Sequence, residues 1–366
     1  MASGCLCRLL AVAAATLRVS CVGAADDLEA FRYLYDNREA SHRIIAFTRV
    51  MKTGSSSLIS TLESDGAYKS KWRPYVTELK KGLGTLKARH ADNDYGDLWV
   101  SGHALKFAQP KIPFLADAME VVAGSSEAPV AYVTIFRRPQ DWLRSAHEHG
   151  KNTQREMDPL NVTEAWISSK SSGLQQLNHW MMMFPKELTA PFKTFLEAIP
   201  VEYCMGGSER KGCVPNAAIT ALFRDVDLDA LERHLRKHYV VMLTEYHGMS
   251  TALLSVALTG TPNAFIEKRV NDKTSDAASQ GIISCVFGDD LASKMGPFLV
   301  PFDVLYGIAS KVFFAQIAAA GEVLVRDAGV EPGTSWWEGA AAAEDAARGA
   351  RGRQGRRHEE RAVERR

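Results

Sequence analysis

Four apolar runs rich in β-branched and aromatic residues recur along the chain and predict strands. They are RIIAFTRV (43–50), LWVSGHAL (98–105), APVAYVTIFR (128–137) and YVVMLTEY (239–246). Between such runs, apolar residues recur every three or four positions, as in SSLISTLES, which is the spacing of one helix face. Strands that alternate with helices build βαβ units, so we expect an α/β fold with a central, mainly parallel sheet.

The first strand gives way to a helix within the turn TRVMKTGSSSL (48–58). The first backbone N–H groups of a helix lack internal partners and the helix dipole favours negative charge there, so an anion fits such a turn. A phosphate or sulfate is the expected ligand, and a serine-capped helix start without a ligand is the alternative. A positive charge, hydroxyl donors and a closely approachable backbone come from Lys52, Thr53, Gly54, Ser55, Ser56 and Ser57.

The order of residues in this turn argues against the P-loop that binds nucleoside triphosphates. That motif requires a glycine five positions before Gly-Lys-Ser/Thr. Here Lys52 precedes Gly54, and no glycine lies in the strand upstream. We therefore expect this turn to hold a phosphate or sulfate with a residue order that differs from that of the P-loop.

A second phosphate-type motif follows the strand APVAYVTIFR, in the segment RRPQDWLRS. Arg137 closes the strand, Pro139 suits a turn or a first helical position, and Ser145 comes two helical turns later. An arginine fork with a hydroxyl can clamp a phosphate monoester. The alternative is that Arg137 pairs with a nearby carboxylate such as Asp141 and that Ser145 binds no ligand.

The length and charge of the chain limit the kinds of domain and partner that it can have. The chain has 366 residues, of which 46% are hydrophobic, and its 44 Lys and Arg against 43 Asp and Glu leave a net charge of +1. This balance does not favour a nucleic-acid partner.

We predict a signal peptide or signal anchor over residues 1–25, one domain over 26–330, and a disordered Ala/Arg-rich tail over 331–366. A disordered leader or a transit peptide is the alternative for residues 1–25.

Cysteine usage is consistent with a secretory route. Cys204 and Cys213 flank a polar, glycine-containing loop that is short enough for a disulfide to close, as in an oxidising compartment. Asn161 begins an Asn-Val-Thr sequon for glycosylation. The sequence has no CxxC pair and no His/Cys cluster with zinc spacing, so we expect no metal site.

Together, the two phosphate-type motifs resemble those of the Golgi carbohydrate sulfotransferases, which use 3′-phosphoadenosine 5′-phosphosulfate (PAPS). In that family a P-K-T-G-[ST]-[ST]-S-type loop holds the 5′-phosphosulfate and an R-x-P-x₅-S segment holds the 3′-phosphate. The resemblance assigns residues 52–57 to the first role and Arg137 with Ser145 to the second. Two departures are Met51, where the family usually has proline, and Arg138, where an acidic residue is common. A P-loop-like three-layer fold is implied.

Further segments look most like the heparan sulfate and uronyl 2-O-sulfotransferase branch. WVSGHAL is similar to a strand whose final Gly-His supplies the catalytic base, which implies that role for His103. RVNDKTSD resembles a basic loop that closes over the nucleotide, with Lys273 and Thr274 as the contacts. The loop between Cys204 and Cys213 is similar to a disulfide loop of that branch, and VVMLTEYHGMSTALL looks like its strand-Thr-Glu-helix segment.

The resemblance implies sulfuryl transfer to a carbohydrate hydroxyl in the Golgi lumen, without a metal. Lys52 would stabilise the leaving group and His103 would remove the proton from the acceptor. Membrane contact is expected through the N-terminal segment alone. An acidic polysaccharide would suit the basic or titratable groups near the expected cleft, which are Lys106, Arg138, Arg144, His147, His149 and Lys151.

Two other function classes remain as alternatives. A kinase that uses the Lys52 turn for ATP predicts Mg²⁺ dependence and an acidic residue at a strand end. A secreted module that binds sulfated glycan without chemistry predicts that loss of His103 has no effect.

Overall fold

A computed structural model describes residues 27–39, 43–49, 53–55, 57–59, 70–73, 97–102, 131–142, 145, 180–181, 183–198, 216–262, 289–332 and 334–337. This part of the chain contains both helices and strands. In chain order they are α1 (Glu29–Asp36), β1 (Ile44–Thr48), β2 (Ser70–Arg73), β3 (Asp97–Gly102), β4 (Ala131–Phe136), α2 (Lys186–Ala198), α3 (Asn216–Asp225), α4 (Leu228–His238), β5 (Tyr239–Leu243), α5 (His247–Thr259) and α6 (Asp289–Ala328).

The strands form one sheet in the order β2-β3-β1-β4-β5, and each described pair is parallel. The predicted α/β class with a parallel sheet is confirmed. All four predicted strands are present, as β1, β3, β4 and β5. The sequence did not predict β2, whose residues SKWR have one large apolar side chain and lie beside β3 at the end of the described sheet.

The strand order creates a switch point beside β1. From β1 the chain passes to β2 and β3 on one side, and β4 then pairs with the other side of β1. In open α/β sheets, ligands bind beyond the carboxyl ends of the strands at such a point. At the carboxyl end of β1, Thr48 is paired with Gly102 of β3 and with Thr134 of β4. Residues that follow β1 and β4 therefore lie at one edge of the sheet.

Buried aromatic side chains form much of the core around β1 and β4. The rings of Phe47 and Trp99 meet edge to face at 6.5 Å, between β1 and β3. Trp180 packs edge to face against both Phe136 of β4, at 5.2 Å, and Phe302 of α6, at 5.9 Å. All five side chains are completely buried, so the carboxyl end of β4 rests on a fixed apolar layer.

Within the described residues, β5 is the last strand of the sheet, and side chains bind the polar groups of its outer edge. The amide of Gln316 on α6 accepts from the N–H of Val241 at 2.9 Å and donates to the carbonyl of Tyr239 at 2.6 Å. The Ser250 hydroxyl of α5 lies 2.9 Å from both the N–H and the carbonyl oxygen of Leu243. Gln316 is fully buried. These contacts satisfy edge groups that would otherwise be buried without partners.

A buried arginine holds the opposite end of β1. Arg43 precedes the strand and donates to the carbonyl of Leu34 at 2.9 Å and to that of Leu258 at 3.1 Å. These carbonyls lie in the last turns of α1 and α5, where carbonyl groups lack helical partners and the dipole favours a cation. One side chain therefore joins the ends of two helices to the start of the central strand.

The long helix α6 contains an apolar stretch, Leu299–Ala328, that is long enough to cross a membrane. Half of its most apolar window is buried inside the domain, as is typical of a core helix, so this is weak evidence for a membrane span. The predicted leader, the sequon at Asn161 and the loop between Cys204 and Cys213 lie outside the described residues.

Packing continues beyond the boundary predicted at residue 330. Trp336 is 7% exposed and belongs to the core, and Trp337 packs against the same core. A Cβ atom added to Gly321 of α6 would lie 3.1 Å from the indole nitrogen of Trp336. The predicted disordered tail therefore begins after these two tryptophans at the earliest.

Two histidines lie one turn apart on α4, with ring centroids 4.9 Å apart. The His234 Nε2 atom is 3.0 Å from the carbonyl oxygen of Met183, and burial lowers the pKa of His234. Burial, together with the charges of His234 and Lys237, lowers the pKa of His238 to about 4. The fold therefore favours the neutral form of both rings.

Replacing Gln316 with methionine should lower the free energy of unfolding by about 2–5 kcal/mol, because it leaves a buried N–H and a buried carbonyl of β5 unsatisfied at similar volume. Gln140→Met is the matched control at an exposed position and should change it by less than about 0.5 kcal/mol. Urea unfolding measures both. Equal effects of the two substitutions would contradict the role assigned to Gln316.

The histidine pair predicts acid sensitivity. The pKa of His238 is lower in the folded state than in the unfolded state, so its contribution to stability is complete above about pH 6.5 and is lost as the pH falls toward 4. One extra proton bound by the unfolded state makes the free energy of unfolding change by up to about 1.4 kcal/mol per pH unit. His238→Gln should reduce this slope between pH 6.5 and 4. Arg233→Gln, at an exposed position of α4, should leave it unchanged.

Candidate active site

Three strand ends meet at the carboxyl edge of the sheet. Residues 53–57 follow β1, residues 137–139 follow β4, and residues 244–247 follow β5. The first two of these segments carry the predicted phosphate motifs. The third segment is a 3₁₀ turn, Thr244–Tyr246, that leads into α5.

The turn after β1 has the strand-to-helix geometry that the sequence predicts. Gly54 has φ +79°, a left-handed conformation that favours glycine. Its carbonyl accepts from the N–H groups of Ser57 at 3.0 Å and Leu58 at 3.2 Å, which begins the helix. Thr53, Ser55 and Ser57 are 0%, 4% and 9% exposed. These residues therefore form a compact turn packed into the domain.

One hydroxyl group joins the three strand ends. The Thr244 Oγ1 atom lies 2.7 Å from the carbonyl oxygen of Thr53 and 3.0 Å from that of Phe136. Its hydrogen is shared between the turn after β1 and the last residue of β4. The structure thus brings Thr53 and Gly54 of the first motif beside Arg137 of the second.

The segment after β4 turns directly into a helix at Pro139. The carbonyl of Arg138 accepts the first helical hydrogen bond, from the N–H of Trp142 at 2.9 Å. Arg138 is thus the cap residue and Pro139 takes the first helical position, where its missing N–H costs nothing. Arg137 is partly buried and Arg138 is exposed. Ser145 is partly buried on this helix, and no hydrogen bond within the described part of the chain joins it to Arg137.

A carboxylate lies between the end of β4 and α6. Glu245 Oε1 accepts from the backbone N–H of Arg138 at 2.6 Å, and Oε2 accepts from the Tyr306 hydroxyl at 2.9 Å. Burial, with the charge and hydrogen bond of Glu245, raises the pKa of Tyr306, and the nearby charge of Arg138 partly opposes this. The tyrosine therefore stays a neutral donor, and both oxygens of Glu245 are engaged.

Asp303, on α6, is a second acidic group in this region. It lies one turn before Tyr306, so the two side chains share a helix face. Burial raises the pKa of Asp303 to about 6. Within the described residues it makes no hydrogen bond or ion pair. It is thus a carboxyl group that can gain or lose a proton near neutral pH.

Several predicted site residues lie outside the described residues: Lys52, Ser56, His103, Lys273 and Thr274, with Lys106, Arg144, His147, His149 and Lys151 of the expected acceptor side. The roles assigned to them stay predictions. β3 ends at Gly102, immediately before His103, and pairs with β1. The chain therefore enters the His103 position from a strand next to the Gly54 turn.

Sequence reasoning assigned no role to Thr244, Glu245, His247 or Tyr306. A Cβ atom placed on Gly54 would lie 3.7 Å from Thr244 Cγ2 and 3.8 Å from His247 Cδ2, so both side chains border the turn. The Thr251 hydroxyl donates to the His247 carbonyl at 2.9 Å, and the same oxygen lies 3.3 Å from Nδ1 of the ring. A polar Thr-Glu-Tyr-His run directly after an apolar strand was the available signal.

Within the described residues, no group of three or more His, Cys, Asp or Glu side chains is arranged to hold a metal ion. No protein-family model, curated protein or solved structure matches the chain.

Gly54→Ala should lower the free energy of unfolding by about 1–2 kcal/mol, because alanine is strained at a positive φ. The space itself is adequate, since the nearest atom would be 3.7 Å from the added methyl group. Gly307→Ala is the matched control in the interior of α6, where nothing lies within 4 Å, and it should raise the free energy of unfolding by about 0.5–1 kcal/mol. Substitutions with the same sign would contradict the left-handed turn.

Proposed function

We propose that this chain transfers a sulfuryl group from PAPS to a hydroxyl group of a carbohydrate, in the lumen of the secretory pathway. The observation that carries the proposal is the contact of Thr244 Oγ1 with both Thr53 and Phe136. It brings the turn that resembles a 5′-phosphosulfate loop next to the arginine that resembles a 3′-phosphate ligand. The P-loop-like sulfotransferase fold belongs to this proposal, and a parallel sheet with the turn after its central strand supports it.

The spacing of the two motifs suits one nucleotide with two anionic groups. β1 and β4 are paired neighbours, and paired strands lie about 4.8 Å apart. The turn after β1 would hold the 5′-phosphosulfate through backbone N–H groups and hydroxyls. Arg137 would hold the 3′-phosphate through its guanidinium fork. ATP lacks a 3′-phosphate, so Arg137 would provide selectivity for PAPS.

The proposed reaction is an in-line displacement at sulfur. The acceptor oxygen forms a bond to sulfur while the bond from sulfur to the 5′-phosphate oxygen breaks, and its proton passes to His103. Lys52 would stabilise the charge that develops on the leaving oxygen. The remaining contacts would align the reacting groups and need no change of charge during the step. The products are the sulfated carbohydrate and 3′-phosphoadenosine 5′-phosphate.

The acceptor is proposed to be a carbohydrate, with an acidic polysaccharide as the favoured class. Arg138 is exposed directly after β4, beside the proposed 3′-phosphate ligand, and this exposure supports a contact with an anionic acceptor. Its backbone is engaged by Glu245, which leaves the guanidinium as the group that would bind.

Calorimetric titration of the full chain tests the nucleotide site. We expect micromolar binding of 3′-phosphoadenosine 5′-phosphate without magnesium, and weak or no binding of ATP with or without it. Preference for Mg-ATP would favour a kinase, although Glu245 at the end of β5 already uses both oxygens for Arg138 and Tyr306. Binding of sulfated glycan without any nucleotide binding would favour the glycan-binding module.

Arg137→Ala should weaken binding of 3′-phosphoadenosine 5′-phosphate about 10- to 150-fold, since a hydrogen bond to a charged group contributes about 1.5–3 kcal/mol. Arg233→Ala, at an exposed position of α4, is the control and should bind normally. Unchanged affinity of the Arg137 variant would reject its assigned role.

His103→Ala should bind the nucleotide normally and lower kcat by about 100- to 10,000-fold.

A further inference from the structure

Glu245 connects the end of β4 with α6 through both of its carboxylate oxygens. The backbone N–H of Arg138 donates to Oε1 at 2.6 Å and the Tyr306 hydroxyl donates to Oε2 at 2.9 Å. In a capping box, a glutamate three residues into a helix binds the N–H of the cap residue. Here the cap residue is Arg138, and the glutamate comes from the turn after β5.

The backbone of Arg137 is held on both sides by consecutive residues of that turn. On one side, the carbonyl of Phe136 lies 3.0 Å from the Thr244 hydroxyl. On the other side, the N–H of Arg138 is bound by Glu245. These two contacts restrict the dihedral angles of Arg137 itself. The direction in which its side chain leaves the sheet is therefore set by Thr244 and Glu245 together.

We infer that Glu245 is a positioning residue that presents Arg137 to the nucleotide, with Tyr306 as its anchor on α6. The inference rests on the proposed function, in which Arg137 binds the 3′-phosphate. A bidentate guanidinium contact requires accurate geometry, and a misplacement of about 1 Å can be costly, so a fixed backbone at Arg137 favours the contact. Glu245 touches no substrate in this account.

The charge of Glu245 distinguishes positioning from direct participation. A carboxylate near a phosphate would repel it, so a direct contact would be unfavourable. Glutamine retains an oxygen that can accept from Arg138, and its NH₂ group can donate to the Tyr306 hydroxyl oxygen. A positioning role is therefore preserved by Glu245→Gln and lost in Glu245→Ala, whereas a role that needs the negative charge is lost in both.

The test measures the affinity of full-length variants for 3′-phosphoadenosine 5′-phosphate by calorimetry. Glu245→Ala should weaken binding about 5- to 20-fold, Tyr306→Phe about 2- to 5-fold, and Glu245→Gln less than about 2-fold. In an Arg137→Ala background, Glu245→Ala should have no further effect, because the two residues act through one contact. Glu322→Ala, at an exposed position of α6, is the control.

Hydrogen exchange of residues 137–142 in the free variants gives a second readout. Faster exchange in Glu245→Ala than in Glu245→Gln would support the role of Glu245 in holding the backbone beside Arg137. If this difference is seen but the wild type binds no nucleotide, the proposed function alone fails. Equal losses of affinity in the alanine and glutamine variants, additivity with Arg137→Ala, or unchanged exchange would each overturn the inference. Tyr306→Phe keeps the test decisive if Glu245→Ala does not fold.

Discussion

The Thr244 hydroxyl makes one site out of three strand ends that are remote in the sequence. Strand pairing fixes β1 against β4 as far as Thr48 and Thr134, and β4 against β5 as far as Phe136 and Leu243, but the turns that follow β1 and β5 lie beyond these ladders. Thr244 Oγ1 bridges them, since it lies 2.7 Å from the Thr53 carbonyl and 3.0 Å from the Phe136 carbonyl. Without this contact, the Gly54 turn and Arg137 would be two independent features of one sheet edge.

This bridge depends on a rigid frame at the β5 side of the sheet. Thr244 follows β5 directly, and β5 is fixed at its free edge by Gln316 of α6 and Ser250 of α5. At the other end of the central strand, Arg43 joins the last turns of α1 and α5. The helix α5 therefore takes part in both contacts, and together with α6 it supports β5, the strand that leads to Thr244. Buried polar side chains here satisfy backbone groups that apolar residues would leave unpaired.

The local parts of this fold could be predicted from the sequence. Apolar runs identified β1, β3, β4 and β5, because buried parallel strands read as continuous hydrophobic segments. SKWR has no such run, so β2 was missed. The glycine turn after β1 and Pro139 at the start of the helix after β4 were predicted from local chemistry, and the structure has both.

Long-range polar contacts could not be predicted in this way. Thr244 reaches residues 191 and 108 positions away, and Tyr306 reaches Glu245 across 61 positions. No local pattern specifies such pairs. The sequence carries one weak signal for Gln316, which is the only polar residue of the apolar run FFAQIAAA. Such a position is consistent with a buried amide that has hydrogen-bond partners. Trp336 and Trp337 lie in the segment 331–366, which was predicted to be disordered from its overall composition. Their large apolar side chains were the local signal that this part of the segment packs.

A crystal structure of the full chain with 3′-phosphoadenosine 5′-phosphate would show whether one nucleotide binds both the Gly54 turn and Arg137. We expect the 5′-phosphate at the turn of residues 53–57 and the 3′-phosphate against Arg137, with Thr244 still bridging Thr53 and Phe136. A nucleotide bound elsewhere, or one phosphate at the turn with Arg137 directed away from the other, would contradict it.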